Sequence, residues 1–212
     1  MSALPSQEFE PEALPRMTEA EYLAFEERAE GKHEYRDGEV VAMSGGTSAH
    51  SMVKSNLVTA LGVRLRGGPC RRFDSDLRLA LQNRGRYFYP DASVVCGPPE
   101  FAEHEQKELT LLNPKAAFEV LSESTEAYDR GEKFDLYREI PSLRTYALID
   151  PRAPKAHLFE RQENGLWSID VFEGEGAVLP LGTLGVEVPF GELYENVSFE
   201  GRGPAPPVAP EG

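Results

Sequence analysis

The stretch KAAFEVLSESTEAYDRGEKFDLYREIPSLRTYALID, residues 115–150, decides how this chain folds. Its first apolar run, Lys115 to Leu121, has the length of a short buried strand. Ser124 or Thr125 stands where a helix cap belongs, before a helical run to about Glu139. LRTYALID follows as a second strand. Strand, helix and strand in that order read as a parallel crossover. One residue breaks the apolar pattern. Glu119 shares a strand face with Ala117 and Leu121, while Phe118 and Val120 face the other way. A carboxylate in a buried strand needs a cation, a hydrogen-bond donor or a metal. Either a salt bridge to an arginine or to Lys133, or half of a two-carboxylate Mg²⁺ site, meets that need. On the following helix Asp129, Lys133 and Tyr137 are spaced i, i+4, i+8, which sets all three on one face. A helix folded back over the strand brings Lys133 to the carboxylates; an exposed Asp129–Lys133 pair is the plainer alternative.

Upstream, RYFYPDASVV reads as strand, with Pro90 at an edge or first position because it has no N–H for a ladder. Asp91 thus becomes a second acid at a strand start. CRRF and DLRLAL also have strand character, the latter ending in a turn at Asn83-Arg84-Gly85. Ser48 to about Arg66 reads as a helix, with Met52, Val53, Leu57 and Leu61 at helical spacing. Asp37-Gly38 marks a tight hairpin. Thr18 and Glu21 form a capping box ahead of a helix bearing Tyr22, Leu23, Phe25 and Ala29. Downstream, AHLFERQ and LWSIDVFE pair through Asn164-Gly165. These elements give a mixed α/β domain of the α+β type at 17–200, helices flanking a sheet with antiparallel pairs. Residues 1–16 and 201–212, rich in Pro with Glu or Gly, read as disordered tails.

Composition bounds the function. The chain has 212 residues, 22 Lys+Arg against 36 Asp+Glu, and a net charge of −14. That balance argues against a simple nucleic-acid binder. Residues 61–90 depart from it, with seven arginines against two aspartates. The arginines are either a phosphate-facing strip or solvated faces balancing acidic neighbours. Cys70 and Cys96 lack metal-type spacing and read as small buried or idle thiols, with no disulfide scaffold. No run approaches the ~20 apolar residues of a membrane span, and the N-terminus has no signal-like pattern. A cytoplasmic address, away from membranes, follows as the expectation. Ser122, Ser124 and Thr125 read as caps, since no histidine completes a triad. Trp167, Tyr146 and Phe159 read as sheet core.

YPDASVV, FEVLSEST, AYDRGEKFDLYRE and TYALIDP together resemble the PD-(D/E)XK nuclease superfamily, and more narrowly a bacterial family of restriction-endonuclease-like proteins. The likeness covers most of residues 18–195. It implies a central mixed sheet flanked by helices, with additional antiparallel strands, and metal-dependent cleavage of phosphodiester bonds. Residue by residue, it implies Asp91 and Glu119 as ligands of Mg²⁺ or Mn²⁺. In the superfamily pattern a lysine follows the acid by two residues; here that position is Leu121, which leaves Lys133 as the candidate replacement. Glu34, near the first hairpin strand, falls where related nucleases place another acid. His50, in GGTSAHS, matches a histidine common in the related family. Gly45 and Gly46 before it suit a phosphate at a helix N-terminus, although an ordinary first-turn residue fits equally. Asp76, opening DLRLAL, approaches Asp91 if those strands pair. Arg71, Arg72, Arg84 and Arg86 are the candidate DNA contacts.

The expectation is therefore a DNA endonuclease acting as a homodimer, because cutting both strands takes two sites. Its rival is a nuclease-fold protein without catalysis, serving as an interaction or regulatory module, which Leu121 and the acidic surface favour. A weaker third reading is an acid/base hydrolase of the glycosidase kind.

Overall fold

The capping box at Thr18 opens α1 (Glu19–Glu26), and both of its hydrogen bonds are made. In this computed structural model residues 14–43, 45–103 and 107–199 are described. The tails expected at 1–16 and 201–212 lie outside them, apart from Leu14 to Arg16. Strands β1 (His33–Arg36) and β2 (Glu39–Ala42) form the expected hairpin, with Asp37 and Gly38 at φ 49° and 94°. Then come α2 (Ser48–Arg64), β3 (Cys70–Asp74), β4 (Arg78–Leu81), β5 (Arg86–Phe88), β6 (Ala92–Cys96) and β7 (Thr110–Leu111). The crossover follows as β8 (Ala116–Val120), α3 (Glu126–Arg130), α4 (Glu132–Tyr137) and β9 (Thr145–Asp150). The chain closes through β10 (Lys155–Arg161), β11 (Trp167–Glu173), β12 (Val178–Leu181), β13 (Val186–Pro189) and α5 (Phe190–Leu193).

The architecture is mixed α+β. A six-stranded sheet runs β11-β10-β9-β8-β6-β3, and a five-stranded sheet runs β2-β1-β5-β4-β7. In the first, β8 and β9 are the expected parallel pair, joined by α3 and α4. A second parallel pair, β4 with β7, lies in the other sheet. Alternation along β8 sorts the core. Ala116, Phe118 and Val120 join α2, α5 and the β12–β13 hairpin on one face. Ala117 and Leu121 face the opposite way, with Tyr137, Phe88 and Tyr146. Glu119 belongs to that second face, between the two sheets. The five-stranded sheet is covered on its outer side by α1, whose Tyr22 stacks on Tyr35 at 4.9 Å.

Four readings need correction. RYFYPDASVV is not one strand: β5 joins one sheet and β6 the other, and Tyr89-Pro90-Asp91 makes the passage between them. Proline, lacking an N–H, ends the first ladder there. The helix after Glu119 is broken at Gly131, yet Asp129, Lys133 and Tyr137 all remain buried. Met52 lies 37% exposed, so the buried stripe of α2 is Val53, Leu57, Ala60 and Leu61. Cys70 and Cys96 are not idle thiols but a disulfide, because antiparallel pairing of β3 with β6 sets them directly opposite each other. Among the described residues no helix is long and apolar enough to cross a membrane.

Candidate active site

Asp91 sits one residue before β6, whose Ala92 is paired with Phe118 of β8. The Val120 N–H donates to Asp91 Oδ2 at 2.8 Å, tying this carboxylate to the strand that carries Glu119. Glu119 Oε1 accepts from the Tyr137 hydroxyl at 3.1 Å and lies 2.8 Å from Lys133 Nζ. The same ammonium is 3.0 Å from Glu34 Oε1 on β1 and 3.6 Å from Asp129 Oδ1. Lys133 thus joins a strand of each sheet to its own helix pair. Glu34 is completed by Arg36, 2.8 Å away, whose guanidinium lies over the Tyr128 ring. On the other flank, α2 sends His50 Nε2 and Lys54 Nζ each to 3.5 Å from Asp91.

Glu34, Asp91, Glu119, Asp129 and Lys133 are each at most 8% exposed. Four carboxylates taken out of water need compensating charge. Lys133, Arg36 and Lys54 provide cations, and His50 also faces Asp91. Burial, aided by Asp129, Asp91 and Glu34, pushes the Glu119 carboxyl well above the usual range, against the pull of Lys133. Burial also raises Asp129. For Glu34 and Asp91 burial is outweighed: Lys133 and Arg36 hold the first low, and His50, the Val120 N–H and Lys54 hold the second low. Burial alone would depress Lys133, but Glu119, Glu34 and Asp129 raise it well above the ordinary lysine value. The lysine is therefore a fixed cation and donor, and Glu119 and Asp129 are the two carboxyls that burial pushes up.

The structure brings Asp91, Glu119, Lys133, Glu34 and His50 together and leaves the other candidates apart. Asp76 is exposed and paired with Lys32. Its strand neighbour β4 pairs with β5 and β7, so the expected approach to Asp91 through pairing does not occur. Arg84 is bound to Glu139, and Arg86 to Asp37 and Glu132, so these two balance acidic neighbours. Arg71 and Arg72 lie exposed on β3. Leu121 is 1% exposed and packed in the core. The α2 N-terminus is capped by Thr47, whose hydroxyl accepts the His50 N–H. A Cβ on Gly46 would lie 2.6 Å from His50 Nδ1, so that glycine makes room for the ring. Thr125 makes no cap hydrogen bond; Ser122 Oγ accepts its N–H instead. Three participants went unread in the sequence: Lys54, Arg36 and Tyr128. His50 and Lys54 are i, i+4 on one helix, a signal that was available.

Among the described residues no group of three or more His, Cys, Asp or Glu side chains is arranged to hold a metal. The pair Asp91 and Glu119 offers hard oxygen donors from the lead into β6 and from the adjacent strand β8. Two carboxylates suit an Mg²⁺-like ion that keeps most of its other positions for water and substrate.

A mixed sheet with one acid entering a strand, a second on the adjacent strand and a lysine beside them defines a restriction-endonuclease-like protein, of the PD-(D/E)XK superfamily. Residues 19–191 match the Uma2 family, described as "Putative restriction endonuclease". The chain belongs to that family. Two Synechocystis sp. relatives, the uncharacterized proteins slr1290 and sll1609, are 36% and 34% identical to it. The first alignment covers 88% of this chain and 95% of that protein; the second covers 76% and 90%. A crystal structure from Anabaena variabilis, described as a "putative nuclease belonging to DUF820", matches with a TM-score of 0.68. It covers 84% of this chain and 97% of that one at 19% identity, a likeness of fold.

Proposed function

We propose that the chain is a metal-dependent endonuclease that hydrolyses DNA phosphodiester bonds, with Asp91 and Glu119 holding Mg²⁺ or Mn²⁺. The observation that carries this reading is Lys133 Nζ at 2.8 Å from Glu119 Oε1, in place of the motif lysine that Leu121 has displaced. A divalent ion, when bound, supplies positive charge at the phosphate and makes water more acidic. The protein's own groups do the rest. His50, the Val120 N–H and Lys54 hold Asp91 low, and the Val120 N–H orients it. Glu119 Oε1 accepts from Lys133 and Tyr137, which fixes the direction of the carboxylate that would hold the ion. Lys133, locked between Glu34 and Asp129, donates to the attacking or phosphoryl oxygen rather than taking a proton. Lys54 and His50, on the more exposed flank of Asp91, meet the incoming phosphate. A homodimer supplies the second site for the second strand.

The test is cleavage of supercoiled plasmid with Mg²⁺ or Mn²⁺ by wild type, Asp91→Ala and Lys133→Ala. Nicking or linearisation by wild type alone is the expected result. Cleavage that persists in Asp91→Ala overturns the site. Folded wild type that leaves every DNA substrate intact favours the rival module without catalysis, a reading supported by the buried Leu121.

A further inference from the structure

Helix α2 and strand β3 run back from the loop that joins them toward Asp91, and the seam between them carries an unusual set of charges. At the near end Lys54 bridges Ser75 Oγ at 3.3 Å and Asp91 at 3.5 Å. One helical turn on, Arg72 Nε donates to the Val58 carbonyl at 2.7 Å. Its guanidinium then lies across Gly62, where a Cβ would be 2.6 Å from Nε. Beyond it the seam opens into a groove of about 480 Å³, whose charged lining is Arg66, Arg71 and Arg72. No Asp or Glu lines it among the described residues.

That composition stands out in a chain of net charge −14. Arg64, Arg84, Arg86, Arg130 and Arg152 are each paired with a carboxylate. Arg71 and Arg72 instead donate to main-chain carbonyls, at Gly97 and Val58, which orient the guanidinium without neutralising it. Helix positions 54, 58 and 62 are about 6 Å apart, a spacing that suits successive phosphates of an extended strand. Exposed Val63 gives the groove an apolar wall.

We infer that the α2–β3 seam is a binding groove for the sugar-phosphate backbone of DNA, leading one strand from Arg66 and Arg71 past Arg72 to Lys54 and the acids. The inference rests on the nuclease reading for its choice of polyanion, and it narrows the DNA contacts to one edge of the six-stranded sheet. Contacts of this kind are read by salt: each arginine on a phosphate adds about 1 to the slope of log Kd against log salt concentration.

The experiment is fluorescence anisotropy of a fluorescein-labelled DNA duplex, with EDTA present so that no cleavage intervenes. The triple variant Arg66→Ala, Arg71→Ala, Arg72→Ala is compared with Arg84→Ala, Arg138→Ala, Arg152→Ala, which removes the same charge elsewhere. The groove triple is expected to bind on the order of tenfold or more weakly, with a salt slope lower by about 3, while the control triple follows wild type. Equal losses in both triples, no loss in the groove triple, or no binding by wild type would overturn the groove. Thermal melts of both triples verify folding. The plasmid assay with Asp91→Ala judges the nuclease reading separately, since cleavage that survives the groove triple sinks the groove and leaves the site intact.

Discussion

Lys133 is the residue on which the site turns. It holds three buried carboxylates that would otherwise repel one another, so under the proposed function its loss should remove both chemistry and structure. Lys133→Met is expected to lower unfolding free energy by about 3–5 kcal/mol in urea titrations, because it strands buried charge. Glu119→Gln separates the two roles. The Glu119 carboxyl is raised in the folded protein, so its stabilising effect is full below its unfolded value and is lost as pH rises through the folded one. The amide mimics the protonated acid. Glu119→Gln should therefore abolish cleavage while its stability, relative to wild type, improves as pH rises above the ordinary glutamate range. Glu34 runs in the opposite sense. Its folded value is lowered by Lys133 and Arg36, so its contribution is present above the unfolded value and lost as pH falls through the folded one. Glu34→Gln should destabilise near pH 7 and converge on wild type in acid; a stabilising effect at pH 7 would show that the Lys133 pairing is wrong.

At the scale of elements, the disulfide and the crossover behave differently. Cys70–Cys96 closes a loop of 26 residues between β3 and β6, at the end of β6 away from Asp91. Reduction, or Cys70→Ser, is expected to cost about 3 kcal/mol through the entropy of the unfolded chain. Plasmid cleavage by the reduced protein should match that of the oxidised protein at a temperature where both are folded. A large loss of rate would mean that the edge strand β3 helps hold the site. The crossover was legible because its strands are apolar, short and separated by a capped helix. The break at Gly131 was not, since both pieces keep the same helical spacing of apolar residues. Nor was the end of β5 at Phe88: the apolar run continues through Tyr89 and Pro90, and only pairing partners reveal that the chain changes sheets. The β12–β13 hairpin also went unread, because Val178 to Pro189 is apolar on one side and interrupted by Pro180, Gly182 and Gly185.

For the whole molecule, the acidic surface and the expected homodimer make one linked prediction. Sedimentation at concentrations that linearise plasmid should give a particle of two chains, whereas a monomer would leave nicked circles as the main product. The mixed α/β class and the two acids Asp91 and Glu119 could be read from residues, whereas Lys133 was preferred over an exposed pair only once the family resemblance left Leu121 at the lysine position. Strand alternation and helical spacing are local rules, and an acid inside an apolar strand announces its own cost. The rest needed three dimensions. Lys54 reaches Asp91, Arg36 completes Glu34, and Arg84 turns away to Glu139 while Arg72 lies along α2. Which of many similar charges meet depends on how two sheets and a helix pack. Pairing energy falls off steeply with separation and exposure, so tertiary distance, invisible in sequence, decided which charges form the site and which only balance the surface.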